Sequence, residues 1–110
     1  MALAVPKNLI KNVAVAGTRE TLISSLTPAP ESVLAINVVI QAKAGNVGVI
    51  YVGDSEVSSS KYGCRLTAGN SVSIEMPSIG NNAMEMDLKD LYIDAATSAD
   101  GVSVFYFVRG

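Results

Sequence analysis

Apolar and polar residues alternate along most of this chain, with the period of two that is typical of β-strands. In residues 32–43 every second position from 34 to 42 is apolar: Leu34, Ile36, Val38, Ile40 and Ala42. Residues 70–76 alternate in the same way, while residues 46–53 are apolar on both faces. Residues 8–16, 90–95 and 101–110 are further runs of this kind. Together the runs predict about six to eight short strands.

Turn residues separate the runs. Ala-Gly-Asn occurs at 44–46 and again at 68–70, and Gly-Asn-Asn occurs at 80–82. Glycine and asparagine tolerate positive φ, so these are predicted corners. We therefore predict an all-β fold, either an antiparallel sandwich or a jelly-roll-like barrel. At 18–26, Thr18 as a cap and Glu20 in the first turn favour a short helix, with a further strand as the alternative.

The last run, residues 101–110, carries large apolar groups on both faces. Val102, Val104, Tyr106 and Val108 alternate with Ser103, Phe105, Phe107 and Arg109. Either both faces are buried inside one subunit, as in a central strand, or one face is covered by a partner.

The first eight residues are predicted to form an extended arm, and residues 9–110 a single β-sandwich domain. Pro6 holds the apolar stretch Met1–Asn8 extended, and no partner strand for it is evident. The segment is either a frayed terminus or an arm that adds a strand to a neighbouring subunit. Under the second reading the predicted partner-contacting residues are Leu3, Val5, Lys7, Phe105 and Phe107.

Composition narrows the classes of function. Net charge is −2 and the eight Lys and Arg residues are scattered, so we expect neither a nucleic-acid nor a membrane partner. The N-terminus is too short for a signal-peptide core, which favours a protein made in a cytosol. The single cysteine, Cys64, can form no internal disulfide and is expected to be a half-buried structural thiol. With no histidine in the chain, no zinc site or other cofactor is expected.

The segment Val49–Ser55, "VIYVGDS", looks like the nucleophile segment of GDS-type esterases. Ser55 would need a base, however, and the chain has no histidine. Lys61 is the alternative base, but its neighbours are polar. We therefore expect Gly53, Asp54 and Ser55 to form a strand-ending turn and predict no catalytic residue. The acidic residues of the second half, Glu75, Glu85, Asp87, Asp90, Asp94 and Asp100, match no calcium-loop spacing and are expected to be solvated rim residues.

Residues 35–108 resemble small β-sandwich virion proteins of tailed bacteriophages. The similar elements are a Gly-Asn corner, a "YVG" strand, a leucine before a Gly-x-Ser hairpin and a closing "LY" hairpin; here they are Gly45 with Asn46, Tyr51–Gly53, Leu66 with Gly69–Ser71, and Leu91 with Tyr92. Several proteins of this appearance decorate the outside of the capsid, and others are minor head or tail components. The resemblance carries no catalytic residues.

The resemblance implies a capsid decoration protein, not an enzyme, that bridges neighbouring major capsid proteins. Assembly in the host cytoplasm and a homodimer or homotrimer on a symmetry axis would fit this role. The alternatives are a carbohydrate-binding or host-adhesion module, or a minor tail or head component, on the same fold. Tryptophan is absent, and of the four tyrosines only Tyr62 lies in a loop-like context, so the sugar platform of such a module would depend on Tyr62.

Overall fold

The computed structural model describes residues 4–26, 32–79 and 82–109, which fold mainly into antiparallel β-strands. The strands in these ranges are β1 (Ala4–Asn12), β2 (Glu20–Thr21), β3 (Leu34–Ala35), β4 (Asn37–Ala42), β5 (Ile50–Gly53), β6 (Cys64–Leu66), β7 (Ser71–Glu75), β8 (Ser78–Ile79), β9 (Asn82–Ala83), β10 (Met86–Asp87), β11 (Tyr92–Ala95) and β12 (Gly101–Arg109). The same ranges contain two short 3-10 helices, Leu22–Ser25 and Leu88–Asp90.

Two four-stranded sheets form the body of the protein. The first sheet has the order β1-β12-β4-β7 and the second the order β2-β11-β5-β6; β3 pairs with β10, and β8 with β9. The main strands pair from the outside of the chain inward: β1 with β12, β2 with β11, β4 with β7, and β5 with β6. This is the arrangement of a long hairpin rolled into two sheets, the jelly roll. The predicted all-β antiparallel sandwich is thereby confirmed.

The hydrophobic core lies between the two sheets. Val38, Ile40 and Val104 of the first sheet and Ile50 and Ile93 of the second are almost inaccessible to solvent and belong to one cluster. These are small branched side chains, which suit a pleated surface. The alternation in the sequence thus has its expected cause: one face of each strand packs in the core, and the other face is exposed or half-buried.

The predicted alternation over residues 32–43 is wrong at its beginning. The N–H of Ile36 donates to the carbonyl of Phe107, the residue that Asn37 already faces, so two residues oppose one as in a β-bulge. The extra residue reverses the faces of the chain before it. Ala35 is therefore buried and Leu34 exposed, the opposite of what a continuous strand would give.

The predicted N-terminal arm is not separate from the domain over its described part. Ala4–Asn12 form one strand that pairs with β12 of the same chain along its whole length. The partner strand that the sequence did not reveal lies at the opposite end of the chain, about a hundred residues away. Pro6 is compatible with β1 because this is an edge strand, where a missing N–H breaks no ladder.

Two other elements are shorter than predicted. The expected helix at 18–26 is a 3-10 helix at Leu22–Ser25, preceded by the strand β2, so both alternatives hold for part of the segment. Thr18 does not cap this helix; its N–H closes a turn onto the carbonyl of Val15. The run at 46–53 becomes a strand only from Ile50.

Lys11 links the two sheets at their β1 and β2 edges. Its side chain is buried, and its Nζ donates to Glu20 Oε1 at 2.7 Å. Glu20 Oε2 also accepts from the N–H of Ala14. The hydrogen bond from Lys11 lowers the pKa of Glu20, aided by the Ala14 N–H and opposed by burial. The ionised pair therefore holds the edge strands of opposite sheets together.

Glu20→Gln is expected to destabilise the protein by about 1–2 kcal/mol near neutral pH. The pKa of Glu20 is lower in the folded chain than its ordinary value of 4.5, so this stabilisation is present above 4.5 and is lost as pH falls through the folded-state value. Urea unfolding of both proteins, from about pH 7 down to about pH 3, measures the difference. A difference as wide in acid as at neutral pH would contradict the assignment.

Candidate functional site

The outer face of the first sheet carries exposed and half-buried apolar side chains on three neighbouring strands, β1, β12 and β4. We call Pro6, Ile10, Val39, Phe105 and Phe107 the apolar patch. Phe105 is 45% exposed and Ile10 56%. Phe105 lies across from Val39 on β4, and Phe107 lies across from Pro6 on β1. The two phenylalanine rings meet edge to face, with centroids 5.0 Å apart.

A shallow groove of about 570 Å³ runs along this face. Beside Ile10, Val39 and Phe105, uncharged polar side chains line it: Asn8, Gln41 and Ser103. Uncharged groups lose less hydration energy on burial than ions do. The face is therefore suited to burial against another surface.

The structure contradicts the first interpretation of the C-terminal strand, in which both faces are buried inside one subunit. Val102, Val104 and Tyr106 lie in the core, but Phe105 on the opposite side is open to solvent. β12 is a central strand, as the first interpretation required. Only its inner face, however, is buried within this chain. Cover by a partner, the second reading, stays a prediction.

The predicted partner-contacting residues do not form one surface. Lys7 lies across from the buried Tyr106, and Val5 across from Val108. Paired residues in a sheet point to the same side, so Val5 and Lys7 point away from the side of Phe105 and Phe107. Leu3 lies outside the described residues. Sequence reasoning missed Ile10 and Val39, because only the register of β1, β12 and β4 brings them beside Phe105.

Ser55 and its surroundings form a turn after β5. Asp54 Oδ1 accepts from the N–H of Glu56, and the carbonyl of Asp54 accepts from Val57, as expected of a strand ending. The hydrogen bond between Lys61 and Glu56 raises the pKa of Lys61. A base for Ser55 would need a lowered pKa, so this contact disfavours Lys61 in that role.

The prediction that the acidic residues are solvated is wrong for two of them, Asp94 and Asp100. Asp100 is buried and accepts from the N–H groups of Val47 at 3.0 Å and Gly48 at 2.7 Å. Asp94, also buried, accepts from Gly17 at 3.0 Å. Within residues 4–26, 32–79 and 82–109, no group of three or more Cys, Asp or Glu side chains is arranged to hold a metal ion. These carboxylates hold loop backbone in place.

Cys64 lies half-buried on β6, an edge strand of the second sheet. Burial raises the pKa of its thiol. Because the thiolate is the reactive form, a raised pKa favours the structural interpretation of Cys64.

No protein-family model, curated protein or solved structure matches this chain. Among the described residues, no helix has both the length and the apolar character needed to cross a membrane.

Proposed function

We propose that this protein is a structural component of a phage virion that binds the outside of the capsid through the apolar patch. The observation that carries the proposal is Phe105, a large aromatic side chain 45% exposed on a central strand of the first sheet. Its partner would be an apolar surface of the major capsid protein. The likeness of residues 35–108 to small virion proteins of tailed phages supports the same role.

The physical character of the face supports a contact with protein. Aromatic groups are enriched at the centres of protein interfaces, and charged groups are depleted there. Phe105 lies near the centre of the face, with Phe107 next to it on β12, and the charged residues Glu75 and Arg109 lie on its margin at the ends of β7 and β12. The jelly roll, a fold that viral capsid proteins also use, is a rigid support for such a face. That likeness of fold is an analogy and supports the proposal only generally.

The size of the face argues for several copies acting together. Four strands about 4.8 Å apart, with 5–9 residues each, give a face of roughly 500 Å². A standard stable interface buries about 800 Å² per partner. One face is thus small for a tight contact. A homodimer or homotrimer on a symmetry axis of the capsid would gain strength from simultaneous contacts and would bridge neighbouring capsid subunits.

The test is binding to capsids prepared without this protein. We expect the purified protein to bind them saturably and to raise the temperature at which they release DNA. Phe105→Ser should weaken binding at least about tenfold, the loss typical of a central aromatic contact. Val47→Ser is the matched control, because Val47 is a more exposed apolar residue, at 84%, in a loop outside the patch.

Two results would overturn the proposal. One is a wild-type protein that neither binds nor stabilises the capsids. The other is equal loss of binding in Phe105→Ser and Val47→Ser, since the contact would then not be made by the apolar patch. Circular dichroism of both variants establishes that they are folded.

A further inference from the structure

A second surface lies on the other sheet, where residues 54–63 fold back over β5. Tyr51 of β5 is buried but does not belong to the core cluster between the sheets. It points outward and is covered by Tyr62, whose ring centroid lies 5.2 Å away. Val57 anchors the same loop: it is buried, and an ideal Cβ built at Gly53 would lie 3.1 Å from its Cγ2.

The loop is held by contacts of its own. Asp54 Oδ1 caps the N–H of Glu56, and Ser58 and Lys61 form a β-bridge with reciprocal backbone hydrogen bonds. The N–H of Gly63 donates to the carbonyl of Val52 and returns the chain to the sheet. Tyr62 is nevertheless 45% exposed. The loop therefore presents the ring of Tyr62, which packs on Tyr51 on one side and is open to solvent on the other.

A pocket of about 250 Å³ lies beside this ring, lined by Gly53, Asp54, Lys61, Tyr62 and Gly63. It combines an aromatic ring, a carboxylate, an ammonium group and glycine backbone. The second oxygen of Asp54 makes no hydrogen bond to the described residues. The pocket thus offers an apolar surface next to a strong acceptor and a strong donor.

We infer that this pocket binds one neutral pyranose ring of a glycan. A pyranose presents C–H groups that pack on an aromatic ring, and its neighbouring hydroxyls can donate to one group while accepting from another. The volume is below the about 300–1,000 Å³ of sites for drug-sized ligands, so it suits a single ring. Asp54, Glu56 and Lys61 together carry one net negative charge, which disfavours phosphate and other anions.

The affinity for a single sugar is weak. The pocket is open, and its one aromatic ring gives limited contact area, so the dissociation constant falls in the millimolar range. The site lies on the second sheet, opposite to the apolar patch. The inference is therefore independent of the proposed capsid contact, and the two surfaces could be occupied together.

The experiment is an NMR titration of the full chain with methyl glycosides of glucose, galactose, mannose and N-acetylglucosamine. At least one should shift the amide signals of residues 53–63 saturably at millimolar concentration. Tyr62→Ala should weaken this binding at least about tenfold. Asp54→Asn, which keeps an oxygen for the turn, should weaken it several-fold, and Tyr62→Phe should retain most of it.

Phe105→Ala is the matched control, because Phe105 is as exposed as Tyr62 but lies on the opposite sheet. We expect it to bind sugar like the wild type while losing capsid binding, and Tyr62→Ala to show the reverse. The inference is wrong if none of the four glycosides shifts the loop signals, or if folded Tyr62→Ala binds as the wild type does. Either failure leaves the capsid test unaffected.

Discussion

Gly101→Ala is expected to lower the free energy of unfolding by about 3 kcal/mol. Gly101 begins β12 and lies against the end of β1. An ideal Cβ at this position would come within 2.5 Å of the carbonyl oxygen of Lys11 and 2.8 Å of Asn12 Cα. These are backbone atoms and cannot rotate away. The Asn46 side chain also accepts a hydrogen bond from the N–H of Gly101 and donates one to its carbonyl. The strand therefore cannot move without breaking these hydrogen bonds.

Gly45→Ala is the control for this prediction. Gly45 has open space where its Cβ would be and no positive φ. The substitution should change stability by less than about 0.5 kcal/mol. Urea unfolding followed by circular dichroism compares the two variants, and a loss below about 1 kcal/mol for Gly101→Ala would show that β1 can move aside.

Asp100→Ala is expected to cost about 3 kcal/mol as well. The change removes the buried carboxylate that accepts from the N–H groups of Val47 and Gly48 in part-buried hydrogen bonds, and each donor left without an acceptor costs about 1–3 kcal/mol. The loop between β4 and β5 would keep the hydrogen bonds of Asn46 to Gly101 but would lose those of Val47 and Gly48 to Asp100. Asp100→Asn should lose about half as much, because a neutral oxygen still accepts one hydrogen bond.

Asp54→Ala is the matched control. Asp54 also accepts from a loop N–H, that of Glu56, but in an exposed turn where water can replace it. We expect a loss of about 0.5–1 kcal/mol. Thermal and urea unfolding compare the two variants. Equal losses in the free energy of unfolding would mean that burial of Asp100 does not determine its contribution to stability.

The fold class was predictable from the sequence because strand alternation is a local property. Residues 70–76 alternate between polar and apolar side chains, residues 101–110 carry the valine and aromatic side chains typical of strands, and β7 and β12 lie within these two runs. The sequence failed where one residue changes the register: the extra residue at Ile36 reverses the faces at Leu34 and Ala35. Such a bulge depends on the partner strand and leaves no mark in the hydrophobic pattern.

The candidate surfaces were predictable only in part. The sequence singled out Phe105 and Phe107 because large aromatic residues are rare in this chain, and Tyr62 because it lies in a loop-like context. It could not associate Ile10 and Val39 with Phe105, since these lie on three strands that only sheet register aligns. The prediction for Asp100 failed for the same reason: a carboxylate appears solvated until a loop from elsewhere in the chain donates to it.

The sequence by itself determined the strand pattern, the branched aliphatic core and the absence of a histidine to activate Ser55. The turn at Asp54 and Ser55 follows from local chemistry in the same way. Only the tertiary structure decided that residues 4–8 belong to the first sheet, that Phe105 faces solvent and that Tyr62 is braced by Tyr51. Alternation assigns residues to two faces of a strand, but which face is covered depends on a second layer contributed by distant parts of the chain.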